Sequence, residues 1–187
     1  MIVTISGRPG SGKSVVASRV AAALGMDHAS AGDFMREMAA ERGLSILELS
    51  RVAGEDDSID REIDARTLRL ATEGDHFVMD ARLGWHFVPH SVKVFLEVRP
   101  EVAARRVYEA ARGTEHENVD LETTRRAIES RTALEKERYV DYYGLDYTDH
   151  DHYDLVVDTS ELNIDEVVER IVEHVRGGES GKRGSIR

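Results

Sequence analysis

Eight residues near the N-terminus, Gly7-Arg8-Pro9-Gly10-Ser11-Gly12-Lys13-Ser14, carry the first chemistry legible in this chain. They fit the spacing G-x-x-x-x-G-K-[ST] without a gap. Glycines let the backbone curl so that successive N–H groups turn inward and meet phosphate oxygens. A helix beginning near Lys13 adds the positive end of its dipole. Lys13 can then reach the outer phosphates of a bound nucleotide, and the Ser14 hydroxyl can hold Mg²⁺. The motif requires a strand before it and a helix after it. Ile2 to Ser6 reads as a short buried strand, and Val16, Val20, Ala23 and Leu24 recur at helical spacing before Gly25. A second Gly-Lys pair, Gly181-Lys182, lacks the correctly spaced first glycine, the Ser/Thr and the flanking elements, and reads as linker.

A phosphate loop alone does not separate kinases from GTPases or motors. The chain has no Asn/Thr-Lys-x-Asp segment for guanine recognition, and 187 residues leave little room for a motor's appendages. Arginines outside the loop are more telling. Arg36 closes the run Ser30-Ala31-Gly32-Asp33-Phe34-Met35-Arg36, Arg82 follows Asp80-Ala81, and Arg131, Glu135 and Arg138 share one helical face. Two phosphate groups in one cleft gather many negative charges. Planar guanidinium forks hold such charge bidentately, better than ammonium groups can.

These segments carry a family resemblance. The run from Ser30 to Arg36 resembles the substrate-binding turn and helix of nucleoside monophosphate kinases, and Asp80-Ala81-Arg82 resembles their second acceptor-phosphate motif. Arg106 and Arg112 are similar in placement to arginines that begin an ATP-covering lid. Arg131-x-x-x-Glu135-x-x-Arg138, followed by Tyr-Val-Asp-Tyr-Tyr, resembles the helix returning from it. Together with Ile59-Asp60-Arg61-Glu62-Ile63-Asp64, the chain is most similar to the short cytidylate kinases typical of archaea, from about Ile2 to Val175.

The resemblance implies ATP as donor, CMP or dCMP as acceptor and Mg²⁺ as cofactor. On that basis Gly7 through Ser14, with Val15 and Arg106, bind ATP, Arg106 stacking on the adenine. Ser30, Gly32, Arg36, Arg82, Arg131 and Glu135 hold the acceptor, while Lys13, Arg112, Arg131 and Arg138 act on the moving phosphoryl group. Ser14 meets the metal, and Asp80 and Asp33 meet it through water; Asp33 otherwise reads as a helix-start residue. A carboxylate at Glu135 can accept hydrogen bonds from the cytosine amino group, with Asp60, Arg61 or Asp64 as alternative readers of the base. Other acceptors (AMP, UMP, or a shikimate-type substrate) remain alternatives on the same scaffold. A nucleotide-gated binding protein is the non-enzyme alternative, against which Arg36 and Arg82 argue, since a gate needs no second phosphate site. Arg105, Arg125 and Arg126 read as surface ion pairs.

The elements that must position these residues alternate between strand and helix. Further apolar runs at Phe77 to Met79, Val92 to Val98 and Leu155 to Val157 read as strands. Ala29 to Gly32 reads as a turn, and the stretch around Pro89 as irregular. Helices are expected with Phe34 and Met38 on one face, after a Ser45/Glu48 capping box, across Ile59, Ile63 and Leu70, from Pro100 to Arg112, from about Val119 to Tyr143 with Gly144 as stop, and from Ile164 to Val175. The alternation predicts an α/β fold with a parallel sheet between helical layers. With the phosphate loop and the resemblance, the expected fold class is a P-loop three-layer α/β/α domain with five parallel strands. The expected organisation is a kinase domain over 1–176, an acceptor-binding helical part over about 30–73, a lid region over about 112–138, and a disordered tail over 177–187.

Composition sets the outer bounds. Hydrophobic residues make up 41% and charged residues 33%, as in a soluble globular domain, and no apolar run reaches the length of a membrane span. No basic-then-apolar leader opens the sequence. There are no cysteines, so disulfides and thiolate metal sites are excluded, and the cytoplasm is the expected compartment. A net charge of −11 argues against nucleic acid as a partner, because a polyphosphate chain needs a basic surface. It leaves room for a small anion in a locally basic pocket, and a monomer acting on small nucleotides is the expected state. His150-Asp151-His152 has no further ligand pattern and reads as solvated. Trp85, between the loop-facing segment and His86, fits either the acceptor site or the core.

Overall fold

The computed structural model describes residues 1–44, 46–111 and 120–183. Five strands, β1 (Ile2–Gly7), β2 (Asp27–Ser30), β3 (Phe77–Asp80), β4 (Val92–Glu97) and β5 (Leu155–Asp158), form one parallel sheet in the order β2-β3-β1-β4-β5. All six residues of β1 are buried, as a central strand covered on both faces must be. From β1 the chain crosses to β2 at one edge, returns to β3 beside β1 and then passes to β4 on the other side of β1, so the crevice at a parallel sheet's switch point opens at its carboxyl end. Register brings Asp80 beside Ile5 and Ser30, Gly7 beside Leu96, and Glu97 beside Asp158. One edge of the sheet therefore collects the polar strand ends.

Helices α1 (Lys13–Leu24) and α8 (Ile164–Arg183) cover one face. Val16 and Val20 of α1 and Val167, Ile171 and Val175 of α8 pack with Val3, Ile5 and Leu96 in one core. On the opposite face lie α4 (Ser58–Glu73), the short α5 (Gly84–Phe87) and α7 (Leu121–Tyr143). There Phe77, Met79 and Val88 pack with Phe34 and Leu70, while Trp85, Phe95 and Tyr147 pack with Tyr139 and Tyr143. Helices α2 (Ala31–Glu41), α3 (Ile46–Glu55) and α4 bury a small cluster of their own around Met38, Leu49 and Ile59. Helix α6 (Pro100–Ala111) runs along α7. The expected five-stranded, three-layer α/β/α fold is what forms. Gly25 and Gly144 end α1 and α7 with φ of 66° and 68°, the left-handed conformation that only glycine adopts without strain.

Three local expectations change. The segment read as a turn from Ala29 is the end of β2, and α2 begins at Ala31. Asp27 and His28 are exposed at the sheet edge, so this strand lacks the apolar alternation that marks strands in a sequence. The irregular stretch before Pro89 contains α5. The terminal helix does not stop at Val175 but continues to Arg183, into the segment expected to be a disordered tail. Its anchored half on α1 supplies the nucleus, after which each further turn adds hydrogen bonds at little entropic cost. Ser45, Arg112, residues 113–119 of the expected lid region and residues 184–187 lie outside the described residues. Among the described residues, no helix is long and apolar enough to cross a membrane.

Ile171 is fully buried between α8 and the sheet. Its truncation to alanine is expected to cost about 2–4 kcal/mol, read as a lower urea midpoint with an unchanged slope.

Candidate active site

The loop between β1 and α1 is shaped by contacts that exclude side chains. A Cβ on Gly10, whose φ is 81°, would lie 2.8 Å from Ala103 on α6. One on Gly7 would lie 2.7 Å from the Leu96 carbonyl oxygen. The Arg8 N–H donates to that same carbonyl at 3.2 Å, and the Ser11 N–H donates back to the Arg8 carbonyl. The Ser11 hydroxyl is buried without a hydrogen-bond partner, and Gly12 stands open ahead of the first turn of α1. A curled backbone with an orphaned buried hydroxyl suits a polyphosphate that supplies the missing acceptors.

Lys13 opens α1, and its ammonium pairs with the carboxylate of Asp80 at the end of β3. Asp80 is 1% exposed, and Ser30 at the end of β2 donates to it from 3.5 Å. Burial, reinforced by Arg82 and Arg131, lowers the proton affinity of Lys13, and Glu135 works in the other direction. The Asp80 carboxylate is the direct countercharge, and a bound triphosphate would add more.

Arg82 is the centre of the cleft. Its Nη1 donates to the Gly7 carbonyl at 2.6 Å and its Nε to Glu135 Oε2 at 3.0 Å, and its guanidinium lies 5.6 Å from the Tyr147 ring centre. The Ser6 hydroxyl donates to the Arg82 carbonyl at 3.0 Å and fixes the backbone there. The other oxygen of Glu135 accepts from Arg131 Nε at 2.8 Å. Burial pushes the Glu135 carboxyl up, but Arg82 and Arg131 together bring it down to about 2, so it is ionised. Burial opposes the charge on Arg82, and Glu135 together with Tyr147 and Tyr139 outweighs it. Arg131 is 66% exposed, so its remaining donors face solvent in the cleft.

A second pair lies beside the first. Arg138 Nε is 3.3 Å from Asp60 Oδ2, although neither atom makes a hydrogen bond, and the guanidinium packs 5.2 Å from the Tyr139 ring centre. Asp60 is buried, which raises its carboxyl, and Arg138 pulls the other way. One turn further along α4, Asp64 accepts from the Tyr143 hydroxyl at 2.6 Å. The acidic face of α4 thus meets the basic and aromatic face of α7.

Most of the residues singled out in the sequence converge here: Ser30, Asp80, Lys13, Arg82, Arg131, Glu135 and Arg138. Arg36 pairs with Asp33 on α2, and its terminal nitrogens lie beside Gly32, whose added Cβ would be 3.7 and 3.8 Å from them. Its guanidinium thus curls back toward the end of β2, and Asp33 is engaged by it. Arg106 does not stand free: it donates to the Thr159 hydroxyl and carbonyl at 3.1 and 2.7 Å, at the loop after β5. Ser14 and Val15 lie on the first turn of α1, with Val15 exposed. Arg125 makes the expected surface ion pairs, with Glu122 and Glu129. Trp85 is a core residue, stacked at 4.2 Å on His152, while His150 turns instead to Glu97. Both oxygens of Glu135 accept from arginines, and Asp60, one of the three alternative readers of the base, lies in the neighbouring pair with Arg138. Tyr139 and Tyr143 stood in the sequence only within the Tyr-Val-Asp-Tyr-Tyr run and Tyr147 carried no signal of its own; nothing local in the sequence shows which of them faces the cleft.

Comparison with known proteins gives the same picture. The chain matches the model of the cytidylate kinase-like family over residues 2–161. The chain belongs to that family. It is 40% identical to the cytidylate kinase of Haloquadratum walsbyi over 162 residues, which cover 86% of this chain and 81% of that protein. It is also 40% identical to the cytidylate kinase of Methanothermobacter thermautotrophicus, covering 87% of this chain and 98% of the other. Among solved structures, the shikimate kinase of Bacteroides thetaiotaomicron superposes with a TM-score of 0.64 at 15% identity, over 94% of this chain and 98% of that one, a likeness of fold. In this member of the cytidylate kinase-like family, the matched region contains the loop and every residue of the arginine cluster.

Burial and the neighbouring Asp60 raise the Asp64 carboxyl from 3.8 to about 6, although the Tyr143 hydrogen bond works against them. A raised carboxyl means that the folded state holds the proton more tightly than the unfolded one. The resulting stabilisation is complete below about pH 4 and is lost as pH rises through about 6. Asp64→Asn keeps an acceptor for Tyr143 and removes the charge. At pH 7 it is expected to be more stable than the parent by about 1–2 kcal/mol, after allowance for residual solvent screening. Urea titrations should show that gap closing as the pH falls toward about 4.

Proposed function

We propose that this chain transfers the γ-phosphoryl group of ATP to CMP or dCMP, giving ADP and CDP or dCDP. The observation that carries the reading is Arg82, one buried guanidinium that touches the phosphate loop at Gly7 and shares Glu135 with Arg131. A loop for one nucleotide and a guanidinium cluster for a second phosphate are thereby built as one unit. Family membership and the two 40% identical cytidylate kinases support the same reading.

The loop amides and Lys13 hold the donor phosphates, with Arg106 beside the adenine. Arg36 and Arg82 take the acceptor phosphate. An oxygen of that phosphate, already ionised, attacks the γ-phosphorus in line while the bond to the bridging oxygen of ADP breaks. No strong general base is required, and the work lies in positioning and charge neutralisation. Lys13, Arg131 and Arg138 meet the charge that spreads over the moving group. The Ser14 hydroxyl and, through water, Asp80 fit Mg²⁺, a cation that keeps several waters of its own. Held there, the cation would supply neutralisation of phosphate charge. Asp33 can join only if its pair with Arg36 opens. The reaction is placed in the cytoplasm, with a monomer acting on free nucleotides and without nucleic acid.

Base choice falls to the buried carboxylate of Asp60. Cytosine offers it an amino donor beside two acceptors. Uracil reverses the donor and acceptor at the first two positions, which leaves the buried Asp60 oxygen facing another acceptor. Coupled ADP release with CMP, dCMP, UMP and AMP in parallel tests the whole reading, which requires the cytidine nucleotides to lead. Asp60→Asn is expected to lower kcat/KM for CMP relative to UMP by about ten- to a hundredfold. An unchanged ratio would remove Asp60 from base recognition.

A further inference from the structure

Glu97, the last residue of β4, is not part of the phosphate loop or of the arginine cluster, yet it connects both sides of the donor site. Its Oε1 accepts from Arg8 Nε at 2.5 Å and from the Val98 N–H at 3.0 Å. Its Oε2 lies 3.2 Å from His150 Nε2. Its backbone carbonyl accepts from the Thr159 N–H at 2.9 Å and the Thr159 hydroxyl at 3.1 Å. Thr159 in turn holds Arg106 through its hydroxyl and its carbonyl. The Arg8 main chain is tied to the same strand through Leu96, so loop backbone and loop side chain are both referred to the end of β4.

We infer that Glu97 is a positioning residue for the donor nucleotide, its carboxylate keying the phosphate loop through Arg8 while its main chain, through Thr159, ties the Arg106 side of the site to the same strand end. The inference rests on the reading of this loop as the ATP site. The physical case concerns the entropy of the loop. Three glycines give the loop its curl but also its freedom. A loop that must be ordered on binding weakens affinity by the cost of that ordering. An Arg side chain held by a charge-assisted bond at 24% carboxylate exposure removes part of that freedom beforehand. The Val98 N–H fixes the carboxylate itself, so the arrangement exists without ligand. Glu97 touches neither substrate and acts through Arg8, so its effect belongs on donor binding.

The test combines direct titration of Mg·ATP by calorimetry with steady-state kinetics on the full chain. Glu97→Ala is expected to weaken ATP binding and raise KM for ATP by about five- to twentyfold, with KM for CMP and kcat within about twofold. Glu97→Gln retains an oxygen that can accept from Arg8, and should recover part of the loss even if the alanine variant folds poorly. The double variant Arg8→Ala/Glu97→Ala should bind ATP no worse than Arg8→Ala alone, because both remove one interaction. Additive losses in the double variant, equal increases in KM for both substrates, or undiminished ATP binding in both Glu97 variants would overturn the inference. If the parent binds ATP and transfers nothing to CMP, the acceptor reading fails while the calorimetric comparison still decides the role of Glu97.

Discussion

The site depends on one carboxylate, that of Glu135, and on the guanidinium of Arg82 that it holds against the Gly7 carbonyl. Without Glu135, Arg82 and Arg131 would lose the carboxylate they share. With it, two like charges sit within reach of one another and of Lys13. A pair this deep is weak evidence for stability, since desolvation takes back much of the Coulombic gain. Its consequence is geometric: a guanidinium that would otherwise sample many rotamers is locked beside the phosphate loop before any nucleotide arrives.

The electrostatics of the whole chain make this arrangement necessary. With a net charge of −11, the protein repels nucleotides in general. The cleft reverses that sign locally. Asp80 and Glu135 compensate Lys13 and Arg82 in the free state, while Arg131 turns its remaining donors to the open side. Arriving phosphates need not create order; they replace or supplement carboxylates already in place. On the α4 face, Asp60 is set against Arg138 and Asp64 against Tyr143.

Much of this was legible before any fold was known, and the reason is physical. The loop is a local motif whose chemistry requires residues at fixed spacing, and Arg131, Glu135 and Arg138 follow from helical periodicity. The core strands declared themselves by apolar runs. What was hidden depends on register between distant segments. Strand β2 pairs through backbone at an exposed edge, so Asp27 and His28 carry no strand signature. The bond between Glu135 and Arg82 was hidden because nothing in sequence places residues 53 apart against each other. Glu97 was invisible for the same reason, since its partner Arg8 is 89 residues away and meets it only because β1 and β4 are neighbours.

The central claim is that one ordered guanidinium cluster joins a donor loop to an acceptor phosphate. Calorimetric binding of adenosine and cytidine linked 5′ to 5′ through five phosphates tests it most directly. The account predicts that this compound binds about 10²–10⁴-fold more tightly than ATP alone, because its second half is delivered at high effective concentration to a preformed site. Affinity no better than that of ATP would mean that no second phosphate site stands opposite the loop, and the account would be wrong.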